Sequence, residues 1–289
     1  MDIQLVSVET ADGVRLDGSL RSANASGSIP LGVDVVVCHH GVGGNFYAPS
    51  FFDALGDALV AQGTAILRVN NRGHDQAYHL GQRRLGAAYE VVDDCRQDFT
   101  AWLDLATARG FRRVALWGHS LGAVKTVYFL SIAHDPRVVC AVASSPPRFV
   151  HQAYLASAGG PRFKADIERA QQMVDAAQPD NLLEAHIPQA RAFSARTFLD
   201  KYGPAARYDY FEHLPRTGVP LLLTLGSLER DDISFAPLAE RGPSMSSEWS
   251  NVSYALIDGA DHYYTGRTDN LWHAARTWLT RVATPATIP

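Results

Sequence analysis

Short apolar strands alternate with helical segments along most of the chain, and this alternation constrains the fold more than any other feature. Runs of apolar, β-prone residues recur at Val33–Cys38, Thr64–Val69, Arg113–Trp117, Val138–Ala143, Val219–Leu225 and Val252–Ile257. Strands that are buried on both faces of a parallel sheet have this nearly continuous apolar pattern, and helical crossovers join them. The sequence therefore predicts an α/β fold: a doubly wound, mostly parallel sheet of about eight strands with helices on both faces.

The first residues predict an antiparallel hairpin that precedes this pattern. Ile3–Val8 and Val14–Leu20 alternate apolar and polar residues, and a turn sequence lies between them. Ser22–Pro30 is rich in serine, glycine and alanine and predicts a loop. At the other end, Thr284–Pro289 predicts a frayed tail.

Four segments, three between strands and one after the last strand, have helical patterns. One begins at Ser50 with a capping-box-like sequence and ends at Gly63. Tyr89–Arg109 places its apolar residues on one face and acids in its first turns. Leu121–Ile132 carries Lys125 as its single charge, and the last helix carries Leu271, Trp272, Ala275, Trp278 and Leu279.

The interval from Pro146 to Gly218 is too long for a connecting loop. It contains helical patterns at Arg162–Ala177 and Ile187–Tyr202, and nine aromatic residues of which we expect two or three to line a pocket. We predict a mainly helical lid inserted after the sixth strand. Residues 1–145 and 219–289 would then form the core domain and residues 146–218 the cap.

Composition indicates an ordinary soluble globular protein rather than a nucleic-acid or membrane protein. The chain has 289 residues, 46% of them hydrophobic and 19% charged, with a formal net charge of −4. Because no block of like charges occurs, we expect no nucleic acid and no membrane as partner. The first residues lack the pattern of a secretion signal, and a cytoplasmic location is the default expectation.

Cys38, Cys95 and Cys140 are widely spaced and fall on apolar strands or an apolar helix stripe. We interpret all three as buried thiols. A metal site or a catalytic cysteine is the lesser alternative, because no C-x-x-C pair or histidine cluster accompanies them. We expect no metal and no cofactor.

The pentapeptide Gly118–Gly122 (Gly-His-Ser-Leu-Gly) lies where a predicted strand turns into a helix. A G-x-S-x-G sequence is expected by chance roughly 0.12 times in a chain of this composition, so its placement carries more weight than its presence. In a nucleophile elbow the serine backbone is strained, and small residues flank it because neighbouring chain passes too close for side chains. This placement predicts Ser120 as a nucleophile, against the alternative of a structural serine in a glycine turn.

A serine hydroxyl needs a base to take its proton, and His262 is the best candidate. It follows the last strand and the turn at Asp258–Asp261, whereas the other ten histidines have weaker positions. We expect His119, beside the nucleophile, to pack or hydrogen-bond beneath the elbow.

The base in turn needs an acid to fix its tautomer, and in the chain order serine, acid, histidine this acid follows the strand Val219–Leu225. Glu229 lies in the turn at the carboxyl end of that strand and is favoured. Asp231 and Asp232 lie slightly further along and remain alternatives. The end of the preceding strand, Ser144–Pro147, has no carboxylate.

Two backbone N–H groups are candidates for stabilising a developing oxyanion. One belongs to Leu121 at the start of the helix, and the other to Val42 in the glycine segment His39–Gly44. We expect His40, Gly41, Gly43 and His119 to contribute to the substrate-binding surface. A phosphate-binding role for these glycines is disfavoured, because no Walker lysine follows them.

Together these motifs resemble the α/β-hydrolase superfamily, over roughly Val33–Val282 and in the order of elements of that superfamily. The resemblance rests on His40-Gly41, on the Gly118–Gly122 elbow, on the turn at Glu229 and on Gly259–His262. It implies a capped serine esterase-like member. One departure is that Glu229 stands where many members have aspartate.

The sequence thus favours a serine hydrolase that cleaves a carboxylic ester or thioester of a small to medium organic substrate through an acyl-enzyme on Ser120. A C–C bond hydrolase, an amide hydrolase or a lyase on the same scaffold is the alternative among enzymes. A non-catalytic small-molecule receptor is the alternative from another class. We expect a small-molecule substrate and a monomer or homodimer.

Overall fold

The computed structural model describes residues 3–23 and 31–283. The predicted loop at Ser22–Pro30 lies mostly outside these residues, and the predicted tail at Thr284–Pro289 lies wholly outside them.

The described part of the chain forms a central sheet and two small hairpins. The strands are β1 (Ile3–Glu9), β2 (Arg15–Arg21), β3 (Val35–His39), β4 (Ala65–Val69), β5 (Tyr78–Leu80), β6 (Arg83–Leu85), β7 (Val114–His119), β8 (Val138–Ser144), β9 (Leu182–Ala185), β10 (Arg191–Ser194), β11 (Leu221–Gly226) and β12 (Val252–Ile257).

The α-helices are α1 (Phe51–Ala61), α2 (Cys95–Ala108), α3 (Leu121–Ala133), α4 (His151–Ala156), α5 (Gly160–Asp175), α6 (Ala195–Tyr202), α7 (Ala236–Glu248) and α8 (Thr268–Val282). Single turns of 3-10 helix occur at Val92–Asp94, Tyr210–Glu212, Leu214–Arg216 and Ser227–Glu229.

Eight strands form the central sheet in the order β1-β2-β4-β3-β7-β8-β11-β12. The last six are parallel to one another, and the β1-β2 hairpin adds antiparallel strands at one edge. The predicted eight-stranded, mostly parallel sheet is therefore confirmed. Because parallel strands end at the same edge, the residues after β3, β7, β8 and β11 meet there, where open α/β sheets bind ligands.

Helices cover both faces of the sheet, and strand residues alternate between the two cores. In β3, Val35 and Val37 pack in the core that contains α2 and α3, whereas Val36 and Cys38 pack in the core that contains α1 and α8. Alternation of side chains along a strand has this consequence when both faces are buried. All three cysteines are free and buried, as predicted.

The predicted helix at Tyr89–Arg109 was too long at its start. Helix α2 begins at Cys95, after the 3-10 turn at Val92–Asp94. The N–H of Val92 donates to the Asp200 carboxylate at 3.0 Å, and the N–H of Asp93 donates to the Tyr208 hydroxyl at 3.1 Å. These tertiary hydrogen bonds satisfy the N–H groups of Val92 and Asp93 and hold the backbone before Cys95 outside the α-helix.

The predicted helix at Ile187–Tyr202 was wrong over its first half. Arg191–Ser194 forms strand β10, which pairs antiparallel with β9, and only Ala195–Tyr202 is helical. Pro188 has no N–H to continue a helix, and the Ser194 hydroxyl accepts from the N–H of Thr197 to cap α6 at its true start. Between β8 and β11, helices α4, α5 and α6 accompany this hairpin.

Helix α7 was not predicted from the sequence. It contains Pro237 at its start and Pro243 inside, and both residues favour a loop in a pattern-based interpretation. Leu238 and Met245, two turns apart, are fully buried against the sheet and supply the apolar face.

Candidate active site

Ser120 lies between the end of β7 and the start of α3, with a strained backbone at φ 56° and ψ −123°. Residues other than glycine persist at positive φ only when their surroundings fix them. The Ser120 N–H donates to the Ser144 carbonyl on β8 at 2.9 Å, and the Ser120 carbonyl accepts from the N–H of Ala123 at 2.9 Å. The pentapeptide therefore forms a sharp strand-to-helix turn that presents the serine at the edge of the sheet.

The two flanking glycines are required because backbone passes directly against them. A Cβ on Gly118 would lie 2.3 Å from the Gly122 carbonyl oxygen, and a Cβ on Gly122 would lie 2.3 Å from the His39 carbonyl oxygen. Neither overlap can be relieved by a rotamer change, since both neighbours are main chain.

His262 bridges Ser120 and Glu229. Its Nε2 lies 3.0 Å from the Ser120 Oγ, and its Nδ1 lies 2.6 Å from the Glu229 Oε1. With Nδ1 protonated towards the carboxylate, Nε2 is left as an acceptor for the serine proton. The structure thus brings together the three residues that the sequence singled out as nucleophile, base and favoured acid.

Glu229 is buried and held in one orientation by its second oxygen. Its Oε2 accepts from the N–H of Gly226 at 2.9 Å and from the hydroxyl of Ser145. The Tyr264 hydroxyl lies 2.9 Å from the same serine oxygen. Sequence reasoning missed Ser145, because it searched that strand end for carboxylates and not for a hydroxyl that could support one.

The two alternative acids lie away from the His262 ring nitrogens. Asp231 and Asp232 are exposed, and the Asp232 Oδ1 accepts from the N–H of Ser234 at 2.8 Å. Asp232 borders the cavity described below, but the acid bonded to His262 is Glu229.

The segment after β3 passes directly over Ser120. A Cβ on Gly41 would lie 2.9 Å from the Ser120 Cβ, which places Val42 beside the serine. Leu121 is the first residue of α3, and the first N–H groups of a helix have no partner within it. Both predicted oxyanion donors therefore belong to segments that border Ser120.

The His40 side chain fixes this segment and has no free ring nitrogen. Its Nε2 accepts from the N–H of Asn71 at 3.0 Å, so its Nδ1 carries the proton and donates to the Gly41 carbonyl at 2.7 Å. Burial lowers the pKa of His40 to about 4, and the ring is neutral. Its polar atoms hold the loop in place and are not available to a substrate.

His119 fixes the backbone of His262 in a similar way. Its Nε2 lies 2.8 Å from the His262 carbonyl oxygen, which can only accept. Burial lowers the pKa of His119 to about 3, so the ring donates this bond as a neutral imidazole. The expectation that His119 packs or hydrogen-bonds at the elbow agrees with this contact, which fixes the backbone of His262.

A cavity of about 1010 Å³ opens above the serine, comparable to the larger small-molecule sites of proteins. Among the residues singled out from the sequence, those that line it are His40, Gly41, Val42, Gly43, His119, Ser120, Leu121, Asp232 and His262. Glu229 lies behind His262. Residues 146–218 contribute Pro147, Phe149, Pro188, Gln189, Arg191 and Tyr202 to the walls.

A buried charge cluster lies behind this site. Lys125 on α3 and Lys201 on α6 both donate to Glu90, the latter at 3.1 Å, and all three side chains are almost completely buried. Burial opposes ionisation of Glu90, but the two lysine charges outweigh it and lower its pKa to about 2. Lys125 could have signalled the cluster, since a lone charge on a buried helix requires a partner.

Elsewhere the described residues offer no group of three histidine, cysteine or acidic side chains placed to hold a metal ion. Within residues 3–23 and 31–283, no helix has the length and apolar content that crossing a membrane requires.

Comparison with known proteins identifies the family. The sequence profile described as "Alpha/beta hydrolase family" matches residues 36–281. The chain belongs to the alpha/beta hydrolase family. No curated protein sequence is significantly similar to this alpha/beta hydrolase.

Solved structures share its fold at low sequence identity. Est1E from Butyrivibrio proteoclasticus, solved with ferulic acid bound, has a TM-score of 0.68 at 17% identity, over 96% of this chain and 98% of its own. The alpha/beta hydrolase GrgF from Penicillium sp. sh18 has a TM-score of 0.72 at 15% identity, over 98% and 99%. The Pyrococcus furiosus esterase Pf2001 has a TM-score of 0.61 at 19% identity, over 98% and 94%.

Proposed function

We propose that this alpha/beta hydrolase cleaves a carboxylic ester or thioester of a small to medium organic molecule through an acyl-enzyme on Ser120. The observation that carries the proposal is the continuous hydrogen-bonded path from the Ser120 Oγ through His262 to Glu229, with bonds of 3.0 and 2.6 Å. A path of this kind activates a hydroxyl that is otherwise a weak nucleophile.

In the acylation step, the Ser120 Oγ attacks the ester carbonyl carbon while the His262 Nε2 takes the hydroxyl proton. The carbonyl oxygen becomes an oxyanion, and Glu229 stabilises the imidazolium through Nδ1. Collapse of the intermediate breaks the bond to the alkoxide or thiolate leaving group, which receives the proton from Nε2.

In the deacylation step, water takes the place of the leaving group. The His262 Nε2 accepts a proton from this water as it attacks the acyl carbon, and returns a proton to the Ser120 Oγ when the acid product departs. Each cycle therefore consumes one ester and one water and yields one acid and one alcohol or thiol.

The N–H groups of Val42 and Leu121 are proposed to hold the oxyanion in both steps. Removal of one such donor costs about 2.7–4 kcal/mol of transition-state stabilisation in other serine hydrolases. The support for this assignment is the close passage of Gly41 over the Ser120 Cβ and the position of Leu121 at the start of α3.

Residues 146–218 are proposed to act as the cap that shapes the substrate pocket, with the core formed by residues 1–145 and 219–289. Phe149 and Tyr202, two of the nine aromatic residues noted in this segment, border the cavity together with Gln189. The other seven aromatics of the segment, including Phe163 and Phe198, are buried in the apolar cluster that also contains α2 and α3.

A fluorophosphonate probe tests the nucleophile directly. Intact-protein mass spectrometry should show one adduct on the wild-type protein and none on Ser120→Ala. Ser244→Ala, which changes an exposed serine on α7, should keep the adduct. A wild-type protein that gains no adduct and hydrolyses no ester would overturn the proposal.

A substrate panel separates ester hydrolysis from the other reactions of the scaffold. p-Nitrophenyl esters of increasing acyl length, a thioester, a p-nitroanilide and methyl ferulate, included because Est1E was solved with ferulic acid, should be assayed with wild type and Ser120→Ala. Ester and thioester turnover that is lost in Ser120→Ala supports the proposal. Ligand binding without turnover that is unaffected by Ser120→Ala would favour a receptor instead.

A further inference from the structure

The cavity contains one permanently cationic side chain, and it comes from the segment at 146–218. Among the described residues that line the cavity, Arg191 is the one lysine or arginine. It is the first residue of β10 and is partly buried. The guanidinium therefore contributes a fixed positive charge to a wall that is otherwise formed by neutral groups such as Gln189 and Tyr202.

The charge of Arg191 has no carboxylate partner within residues 3–23 and 31–283. Its Nη1 donates to the amide oxygen of Gln76 at 2.8 Å, and the Gln76 Nε2 donates to the Ala192 carbonyl at 2.8 Å. A neutral amide thus holds the guanidinium in position and leaves its charge uncompensated. The fork of N–H groups retains donors for a ligand.

The guanidinium lies against the segment that passes over the nucleophile. Its Nη1 occupies the space beside Gly43, 2.6 Å from the point where a Cβ on that residue would lie. Gly43 is adjacent to Val42, the proposed oxyanion donor, and two residues from Gly41, which contacts Ser120. A substrate held at Ser120 can therefore extend along this wall towards Arg191.

The acids that line the cavity do not neutralise this wall. Asp53 is paired with Arg68 and accepts from the N–H of Ser50 in the cap of α1. Asp232 is exposed and accepts from the N–H of Ser234, on the segment that leads into α7. Burial raises the pKa of Tyr202 to about 12, against the opposing charge of Arg191, so its hydroxyl is neutral.

We propose that Arg191 binds a carboxylate of the substrate, and that the preferred substrates are esters which carry a second, ionised carboxyl group. This inference rests on the proposed function, because it places the scissile carbonyl at Ser120 and the carboxylate at β10. An arginine matches a carboxylate with two parallel N–H donors, and such charge-assisted bonds are stronger than neutral ones.

Half-esters of dicarboxylic acids test the inference. Monoethyl succinate, glutarate and adipate should be compared with their diethyl esters by proton release, for wild type, Arg191→Gln, Arg191→Lys and Arg196→Gln. Arg196 is the matched control, because it lies on α6, pairs with Asp180 and is half exposed. The three acid lengths place the carboxylate at different distances from the scissile carbonyl.

Wild type should show a higher kcat/KM for at least one half-ester than for its diester. Arg191→Gln should reduce the ratio of the half-ester kcat/KM to the diester kcat/KM by about 10- to 100-fold. Arg191→Lys should retain part of the preference, and Arg196→Gln should retain all of it. Circular dichroism confirms that each variant is folded.

Two results would overturn the inference and leave the proposed function standing: diesters hydrolysed faster than every half-ester by the wild type, or a ratio unchanged in Arg191→Gln. If neither ester nor probe reacts at Ser120, the proposed function fails. In that case calorimetric titration of glutarate into wild type and Arg191→Gln decides the inference separately. Binding that is lost only in Arg191→Gln supports it, and equal or absent binding overturns it.

Discussion

Replacement of Glu229 by glutamine tests whether His262 depends on a carboxylate and not merely on a group of the same shape. The Oε2 position accepts from the N–H of Gly226 and from the hydroxyl of Ser145, so the glutamine must place its carbonyl oxygen there. Its NH₂ group then faces the Nδ1 of His262, to which the native carboxylate is bonded at 2.6 Å, and can only donate. Nδ1 becomes an acceptor and Nε2 carries the proton, so the ring offers Ser120 no base.

The size of the effect follows from this wrong tautomer. The same acid-to-amide change in a serine protease lowers kcat by about 10⁴-fold, which corresponds to about 5.4 kcal/mol of activation free energy at 1.36 kcal/mol per tenfold. We expect a loss of this order in kcat, with KM little changed, because no atom of Glu229 lines the cavity.

The assay is p-nitrophenyl acetate hydrolysis under saturating conditions, with thermal unfolding followed in parallel. Asp232→Asn is the control, because it removes an exposed carboxylate near the same turn and should keep most of the wild-type rate. A Glu229→Gln protein that retains more than about a tenth of the wild-type kcat would refute the reasoning. So would a severe loss in Asp232→Asn, which would identify another acid.

Three further outcomes are expected. Gly122→Ala places a Cβ 2.3 Å from the His39 carbonyl oxygen, and urea unfolding should show that the free energy of unfolding falls by about 2 kcal/mol or more. The control is Gly81→Ala, where φ is positive but no atom lies within 4 Å, and its free energy of unfolding should fall by less. Equal losses in the two variants would contradict the packing argument. Glu90→Gln leaves two lysines buried together and should cost about 3–5 kcal/mol, more than Lys201→Met. The pKa of Glu90 is held at about 2, below its ordinary 4.5, so this carboxylate stabilises the fold above pH 4.5. The free energy of unfolding should therefore fall as the pH drops from 4.5 towards 2, and it should fall less steeply in Glu90→Gln. Ellman's reagent should not titrate the three thiols until the protein unfolds, since burial raises the pKa of Cys140 to about 12, and rapid reaction of the native protein would contradict their burial.

Much of the fold could be predicted from the sequence because burial on both faces gives each central strand a continuous apolar run. Val35–His39 and Val114–His119 are fully buried strands of this kind. The helix at Ala236–Glu248 could not be predicted, because its two prolines oppose the helical pattern and its stability comes from burial of Leu238 and Met245. Local patterns also gave the wrong element at Arg191–Ser194, where pairing with β9 outweighs helix propensity.

The proposed nucleophile, base and acid could be predicted from the sequence because each follows a strand at a fixed place in the fold. Ser120 follows β7, Glu229 follows β11 and His262 follows β12. The residues that support them were not accessible in this way. Ser145 reaches Glu229 across 84 positions of sequence, and Arg191 reaches Gln76 across 115, so neither contact leaves a periodic or local signal.

The buried cluster of Glu90, Lys125 and Lys201 has a consequence for how molecules enter and leave. Lifting α6 from the core would pull the Lys201 ammonium group away from the buried Glu90 carboxylate. Breaking this buried pair costs about 3–5 kcal/mol. At that cost, only about one molecule in 10² to 10⁴ would have α6 displaced at any time. Substrate is therefore expected to enter without displacement of α6, on the side of the cavity where the exposed ring of Tyr263 lies. Discrimination between substrates would then depend on a cavity of fixed shape, because α6 contributes Tyr202 to its wall and stays in place.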